Sequence, residues 1–378
     1  IAMLAGCSTG EAPAGGTASA GVVYQDTATG ECAAGPNAGV DLDAATAFVA
    51  PFLEPAASIL ATEPLAEPID TGLTAVYLNN GTPVAGLFSA NLQAASEAAG
   101  IEFVNVDTGA DAQSINSALN SVVEMQPDIV FDQSIDAIFF QDQLQQLKDQ
   151  GAVIVYGGQL NAAEFDLVDS LGGLGSIDVN AEILAASSIV LTCGTATEFV
   201  IYSPPEFPSS PLMIERIEER IAALCDECSV RVVDISVMDP SPADKIVSDL
   251  QAHPDTEFLI ALVDQFQLGL ADKAALAGVE NARGIGVASL PQNFQQIADG
   301  AQTAGYAADF GIFMWLQVDE ALRRSQGMEV PYLDDMLTAG QTISRVITLR
   351  NVEDVLGPDG FVSVPDYQDQ FRALWGVN

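Results

Sequence analysis

The feature that most constrains this chain is an alternation that begins at Thr74-Ala-Val-Tyr-Leu-Asn-Asn-Gly-Thr-Pro83. Ala75 to Leu78 form a short apolar run bounded by a turn, the pattern of a strand buried on both faces. Asn79-Asn80-Gly81, with Pro83 close behind, breaks it with a turn signature. Helical spacing follows, with Leu87, Leu92, Ala95 and Ala99 along one side. The unit then repeats. Strands are expected over 75–78, 102–106, 129–132 and 153–156, and helices over 85–99, 112–125 and 139–150. Gly100, Gly109 and Gly151 mark the breaks, and Pro127 stops the third element. Alternation of this kind means βαβ units, a parallel sheet and right-handed crossovers.

Residues 157–175 lack periodicity, and Gly157-Gly158 and Leu171-Gly-Gly-Leu-Gly175 read as a crossing between domains. The alternation restarts beyond them. Strands are expected over 198–202, 229–235, 258–263 and 284–288, and helices over 177–191, 212–224, 243–252 and 267–277. A helix over 309–325, a last strand over 343–350 and an amphipathic stretch over 367–375 complete the pattern. With 378 residues there is chain enough for two such domains. Residues 22–71 precede the first strand; Pro51, Pro55, Pro64 and Pro68 stiffen them, and they are expected on the outside of the first domain.

Charge excludes whole classes of partner. The net charge is −40, from 52 acidic and 12 basic residues, and no Lys or Arg precedes Lys148. Nucleic acid needs clustered Lys and Arg to neutralise its phosphates, and anionic membrane surfaces need the same. A solvated acidic surface, suited to a saline medium, accounts for the balance. Attraction of cationic ligands is the alternative.

The first residues, Ile1-Ala-Met-Leu-Ala-Gly-Cys7, look like the end of a signal sequence running into a lipobox, with Cys7 the lipid acceptor. Residues 8–21 are rich in Gly, Ala, Ser and Thr, the composition of a flexible tether. No apolar run in the sequence reaches the ~18 residues of a spanning helix, so anchoring rather than spanning is expected. Cys32, Cys193, Cys225 and Cys228 then form an even set. Outside the cytoplasm that favours disulfides. Cys225-Asp-Glu-Cys228 lies between a helix end and a strand start, which suits a short-loop disulfide. A redox motif needs the opposite order, and zinc needs four ligands. Cys32 with Cys193 is the pair left over.

Two consecutive α/β halves joined by a crossing are a two-lobed design, and here the chain resembles the type I periplasmic binding proteins, the substrate-binding components of sugar-type ABC importers. The resemblance runs from Gly72 to about Arg350. It rests on Leu78-Asn-Asn-Gly-Thr-Pro83, Met125-Gln-Pro-Asp-Ile-Val-Phe-Asp132, Gly151-Ala-Val-Ile-Val-Tyr156, Glu206-Phe-Pro208, Cys225-Asp-Glu-Cys228, Ala252-His-Pro-Asp255, Leu262-Val-Asp264 with Gly269, and Tyr306-Ala-Ala-Asp309 before Asp319-Glu-Ala-Leu322. It implies two Rossmann-like α/β lobes with parallel sheets joined by a hinge and closing over one small ligand. The implied division is a signal remnant, lipobox and tether at 1–21 and an N-terminal extension at 22–71. Lobe one is then 72–158 plus 290–325, and lobe two 159–289 plus 326–378. It also implies a monomer held on the extracellular face of the cytoplasmic membrane or in the periplasm, handing its solute to an ABC permease, with no cofactor.

In such sheets ligands meet the loops outside the carboxyl ends of the strands. Those loops offer Asn79, Asn80, Asp132, Gln133, Gln159, Asp264 and Gln292 as directional donors and acceptors for a polyol, with Phe88, Phe207 and Phe266 to stack on an apolar sugar face. Bland readings stand beside these. Asn79-Asn80 suits the turn itself, Phe88 suits the core, and Asp132 suits a helix cap. In pentose-binding relatives an Arg follows the Asp of the Asp132 loop; here the residue is Gln133. None of the loops carries Lys or Arg, so an anionic ligand would be left unpaired. A neutral polyol, with a monosaccharide foremost, is expected. A lipoprotein sensor would present the same cleft, and a carboxylate-based sugar hydrolase is conceivable. No GxSxG, P-loop or metal cluster supports an enzyme, and the lone His253 suits a helix end. A lactose-repressor-type regulator would need a basic DNA-binding head.

Overall fold

The computed structural model describes residues 21–109, 111–133, 135–357 and 360–377. Cys7, the lipobox and the tether over 1–20 lie outside the described residues. The first helix, α1 (Leu42–Val49), is capped by the Asp41 carboxylate, which accepts from Ala44 N. Lobe one then unfolds as β1 (Thr74–Asn79), α2 (Pro83–Ala99), β2 (Glu102–Asp107), α3 (Ala112–Met125), β3 (Ile129–Asp132), α4 (Gln141–Asp149) and β4 (Val153–Tyr156). Its sheet has the order β2-β1-β3-β4, parallel throughout.

Lobe two repeats the plan with α5 (Leu174–Leu191), β5 (Glu198–Ser203), α6 (Ser210–Leu224), β6 (Ser229–Asp234), α7 (Pro242–Ala252), β7 (Phe258–Ala261), α8 (Leu270–Ala277) and β8 (Gly284–Gly286). Its sheet, β6-β5-β7-β8, is again parallel. Beyond it come α9 (Pro291–Ala298), β9 (Gly305–Ala308), α10 (Phe310–Ser325), α11 (Met336–Ile343), β10 (Ser344–Ile347) and α12 (Tyr367–Trp375). β9 and β10 pair antiparallel, and a parallel bridge from Val287 to Tyr306 attaches them to the lobe-two sheet.

The sequence pattern follows from strand position. β1, β3, β5 and β7 are central and buried along nearly their whole length, so they read as continuous apolar runs. β2 and β6 lie at sheet edges and alternate between exposed and half-buried positions. Each sheet is covered on both faces. Ala75, Tyr77, Ile129, Phe131 and Val155 face α2 and α10, while Val76, Leu78, Val130 and Ile154 face α3 and α4. In lobe two, α1, α5 and α6 cover one face and α7 and α8 the other.

Three expectations are corrected. The extension 22–71 does not sit only on lobe one. Its first half binds lobe two: Val23 N donates to Thr195 Oγ1 at 2.8 Å, the Tyr24 hydroxyl donates to Glu257 O at 2.7 Å, and α1 packs on α5. From Ala56 onward it joins the core of lobe one. The lobe boundaries also move. Residues 290–308 side with lobe two, because Asn293 Nδ2 donates to Asp264 O and β9 bridges to Val287. The end of the chain sides with lobe one, where Trp375 stacks on Trp315 with ring centroids 5.4 Å apart. Finally, one helix among the described residues, α5, is long and apolar enough to cross a membrane. It is instead a core helix whose Ala and Ser residues let α1, α6 and α11 approach closely.

The cysteine reading holds for Cys225–Cys228, which form a disulfide, and Cys32–Cys193 form a second one with Cα atoms 5.7 Å apart. The second bond staples the extension to the end of α5.

Candidate functional site

The carboxyl ends of β1, β3 and β4 carry the lobe-one candidates. Asn79 and Asn80 build the turn into α2. Asn79 Oδ1 accepts from Gly81 N at 2.8 Å, and its Nδ2 donates to Asn105 Oδ1 at 3.0 Å. Asn80 Oδ1 accepts from Thr82 N at 3.1 Å and from Thr82 Oγ1 at 2.9 Å. Thr82 Oγ1 in turn caps α2 by accepting from Ala85 N. Asn79 is buried while Asn80 keeps a half-exposed amide. Asp132 is buried at the end of β3, and its Oδ1 accepts from Ile135 N at 2.9 Å, closing the loop that follows.

Gln133 is enclosed by glycine. A Cβ on Gly157 would meet its side-chain amide, and one on Gly158, where φ is +72°, would meet its carbonyl oxygen. Gly158 satisfies that left-handed backbone and the close approach together. Gln133 is 6% exposed, and its Nε2 has no protein acceptor among the described residues. Gln159, just beyond, is also buried. Phe88 is half-buried: its ring sits edge-on to Phe310 at 5.4 Å and to Phe313 at 6.0 Å, and Phe313 in turn lies against Gly172 beside the Gln133 loop.

In lobe two, Phe207 lies in the loop after β5 and is 42% exposed. Phe266 is buried in the core between β7, α7 and α8. Gln292 is exposed in the first turn of α9. Asp264 is fully enclosed at the end of β7. Gln267 Nε2 donates to its Oδ1 at 2.5 Å, Ser289 Oγ to its Oδ2 at 2.5 Å, and Gln302 Nε2 to both oxygens at 3.0 Å. Burial pushes its carboxyl up to about 6, against the pull of those hydrogen bonds from Ser289, Gln302 and Gln267. The carboxylate thus clamps the ends of β7, β8 and β9 together. Gly286 and Gly305 are required beside it, since a Cβ on either would collide with Asp264 or Ser289.

The sequence reading missed Gln267, Gln302 and Asn293, which complete this buried polar cluster. Gln267 could have been found from its spacing to Asp264 in a single turn. Gln302 and Asn293 come from segments with no local signal.

Charge is arranged consistently around the site. All 12 basic side chains are engaged: ten are in ion pairs, and Arg220 and Arg283 lie over the rings of Phe48 and Tyr24. Lys273, seven residues past Phe266, is the one closest in sequence to a candidate residue, and Asp244 holds it at 2.5 Å. Among the described residues no group of three or more His, Cys, Asp or Glu is placed to hold a metal ion. The loops can offer amides, hydroxyls and an exposed aromatic ring to a ligand, but no free cation.

No family model and no curated protein matches the chain. Solved structures do. A glucose-galactose binding protein from Geobacillus stearothermophilus superposes with a TM-score of 0.59 at 15% identity, covering 74% of this chain and 98% of its own. An ABC transporter periplasmic solute binding protein from Actinobacillus succinogenes 130z, with bound D-allose, gives 0.60 at 12% identity, with 75% and 99% covered. An ABC transporter solute binding protein from Bacillus halodurans C-125, with bound myo-inositol, gives 0.59 at 14% identity, with 76% and 98% covered. The chain therefore has the type I periplasmic binding protein fold.

Proposed function

We propose that this chain is an extracytoplasmic solute-binding protein that captures a small neutral polyol, a monosaccharide foremost, between its two lobes and delivers it to an ABC permease. One observation carries the reading: two like-ordered parallel sheets present amide- and hydroxyl-rich strand ends, and every cation of the chain is already engaged. The bound molecules named for structural neighbours, D-allose and myo-inositol, are neutral polyols. Asn80, Gln133, Gln159, Phe207 and Gln292 are the contacts we assign, with Asn79 and Asp132 shaping the lobe-one loops. Asp264 acts through Ser289 and Gln302, while Phe88 and Phe266 support the loops from the two cores.

The work is capture and hand-over, without turnover. Ligand that touches both lobes favours the closed arrangement by its differential contacts. An analogue lacking one hydroxyl leaves enclosed amides unpaired, so discrimination is sharp. Cys7 carries the lipid that holds the protein at the membrane, and the protein works as a monomer. Native mass spectrometry of the purified protein tests the solute class. The expected result is a bound neutral polyol released on denaturation; a phosphorylated or carboxylated compound would overturn the reading.

A further inference from the structure

Asn80-Gly81, in the turn after β1, is the one Asn-Gly step in the sequence. In such a step the backbone nitrogen of Gly can attack the side-chain carbonyl carbon of Asn, because no Cβ shields the approach. The new C–N bond closes a succinimide ring, and the side-chain nitrogen leaves as ammonia. Water then opens the ring to aspartate or isoaspartate. Water is the only co-reactant, and it reaches this turn: Asn80 is half-exposed and Gly81 is exposed.

Attack requires Gly81 N to give up its proton, and the fold opposes this. Gly81 N donates to Asn79 Oδ1 at 2.8 Å. A hydrogen bond made by the protonated form makes that proton harder to remove. Asn79 is held in place to accept it. It is 9% exposed, its Nδ2 donates to Asn105 Oδ1 at 3.0 Å, and its carbonyl oxygen accepts from Thr108 N at 2.8 Å and from Thr108 Oγ1 at 3.1 Å. Asn80 is held from the other side, where its Oδ1 accepts from Thr82 N at 3.1 Å and from Thr82 Oγ1 at 2.9 Å. Donors on that oxygen also polarise the carbonyl toward attack. The restraint therefore lies at the nitrogen, with Asn79.

We infer that Asn80 is a site of spontaneous deamidation and that the Asn79 side chain sets its rate in the folded protein. The product carries a carboxylate where a neutral amide stood. Its consequence for solute capture rests on the polyol reading; the modification itself does not, and a failure of that reading leaves the rates below untouched.

Incubation of the full chain in mildly alkaline buffer, followed by mass spectrometry of the chymotryptic peptide between Leu78 and Leu87, tests the site. Conversion reads as the mass gained when NH2 is replaced by OH at Asn80. The urea-unfolded parent should convert fastest and the folded parent slowly. Folded Asn79→Leu should convert about tenfold faster than the folded parent, the scale of one lost hydrogen bond. Asn79→Asp keeps an acceptor for Gly81 N and should stay at the parent rate. A thermal melt confirms that each variant is folded. If Asn79→Leu does not fold, Asn105→Ala, which frees the Asn79 amide, takes its place with the same expected direction. The inference is overturned if Asn80 stays unmodified in the unfolded parent, if the folded variant lacking the restraint converts at the parent rate, or if Asn79→Asp converts as fast as that variant.

Discussion

Ser289 Oγ donates to Asp264 Oδ2 at 2.5 Å, joining the end of β7 to the loop after β8. The carboxylate is enclosed, so it sets the shape of the lobe-two loops rather than meeting solvent. Its protonation is therefore a stability matter. The folded value of about 6 lies above the ordinary 3.8 because burial disfavours the charge. The folded state holds this proton more tightly, so the contribution is greatest below about pH 4 and is lost as pH rises through 6. A shift of that size is worth about 3 kcal/mol. Burial raises Asp309 and Glu320 in the same direction. Urea denaturation across pH 4 to 7 should show a stability slope that Asp264→Asn flattens; an unchanged slope would assign the pH dependence elsewhere.

Gln133 supplies an enclosed amide whose Nε2 has no protein acceptor among the described residues. Gln133→Leu keeps the volume and removes the donor. Polyol affinity by calorimetry should fall about tenfold, or ~1.4 kcal/mol, while the melting temperature stays close to the parent value. Parent-like affinity would remove Gln133 from the contact set.

The Cys32–Cys193 bond spans 161 residues and fixes the extension to lobe two. Cys32→Ser with Cys193→Ser should cost about 2 to 4 kcal/mol in urea. The Cys225–Cys228 bond closes only a tight loop, so its removal should cost less. Equal costs would show that loop length does not govern these bonds.

At the other end, Trp375 stacks on Trp315 and donates through Nε1 to Asp319 Oδ1 at 2.9 Å. Asp319 also pairs with Arg323 at 2.6 Å, with both side chains buried. Trp375→Ala should cost about 3 to 5 kcal/mol through the cavity it leaves. A loss below about 1 kcal/mol, the scale of a surface change, would show that the tail is not part of the lobe-one core.

The two-sheet plan was legible because central strands such as β1 and β7 are buried on both faces and leave unbroken apolar runs. What escaped was set by tertiary packing. β9 is a four-residue strand, and its Gly305 is there to clear Ser289 rather than to mark a turn. α9 begins at Pro291, directly after the loop, so its start reads as loop. Phe266 followed the right loop in sequence, but a short turn carried it into the core, while Phe88 keeps a half-buried ring against Phe310 and Phe313 of α10. The exposed Phe207 is the aromatic that remains at a strand end. The swap of chain ends between lobes has no local signature, since Trp375 meets Trp315 across the fold.

The central claim is that the lobes close on a neutral polyol. Isothermal titration calorimetry against a panel of neutral monosaccharides and inositols, beside their phosphates and uronic acids, tests it most directly. The account predicts saturable binding of at least one neutral member and none of its charged derivatives, because no cation is left to pair with them. Binding of a phosphate or uronic acid, with no neutral compound bound, would contradict it.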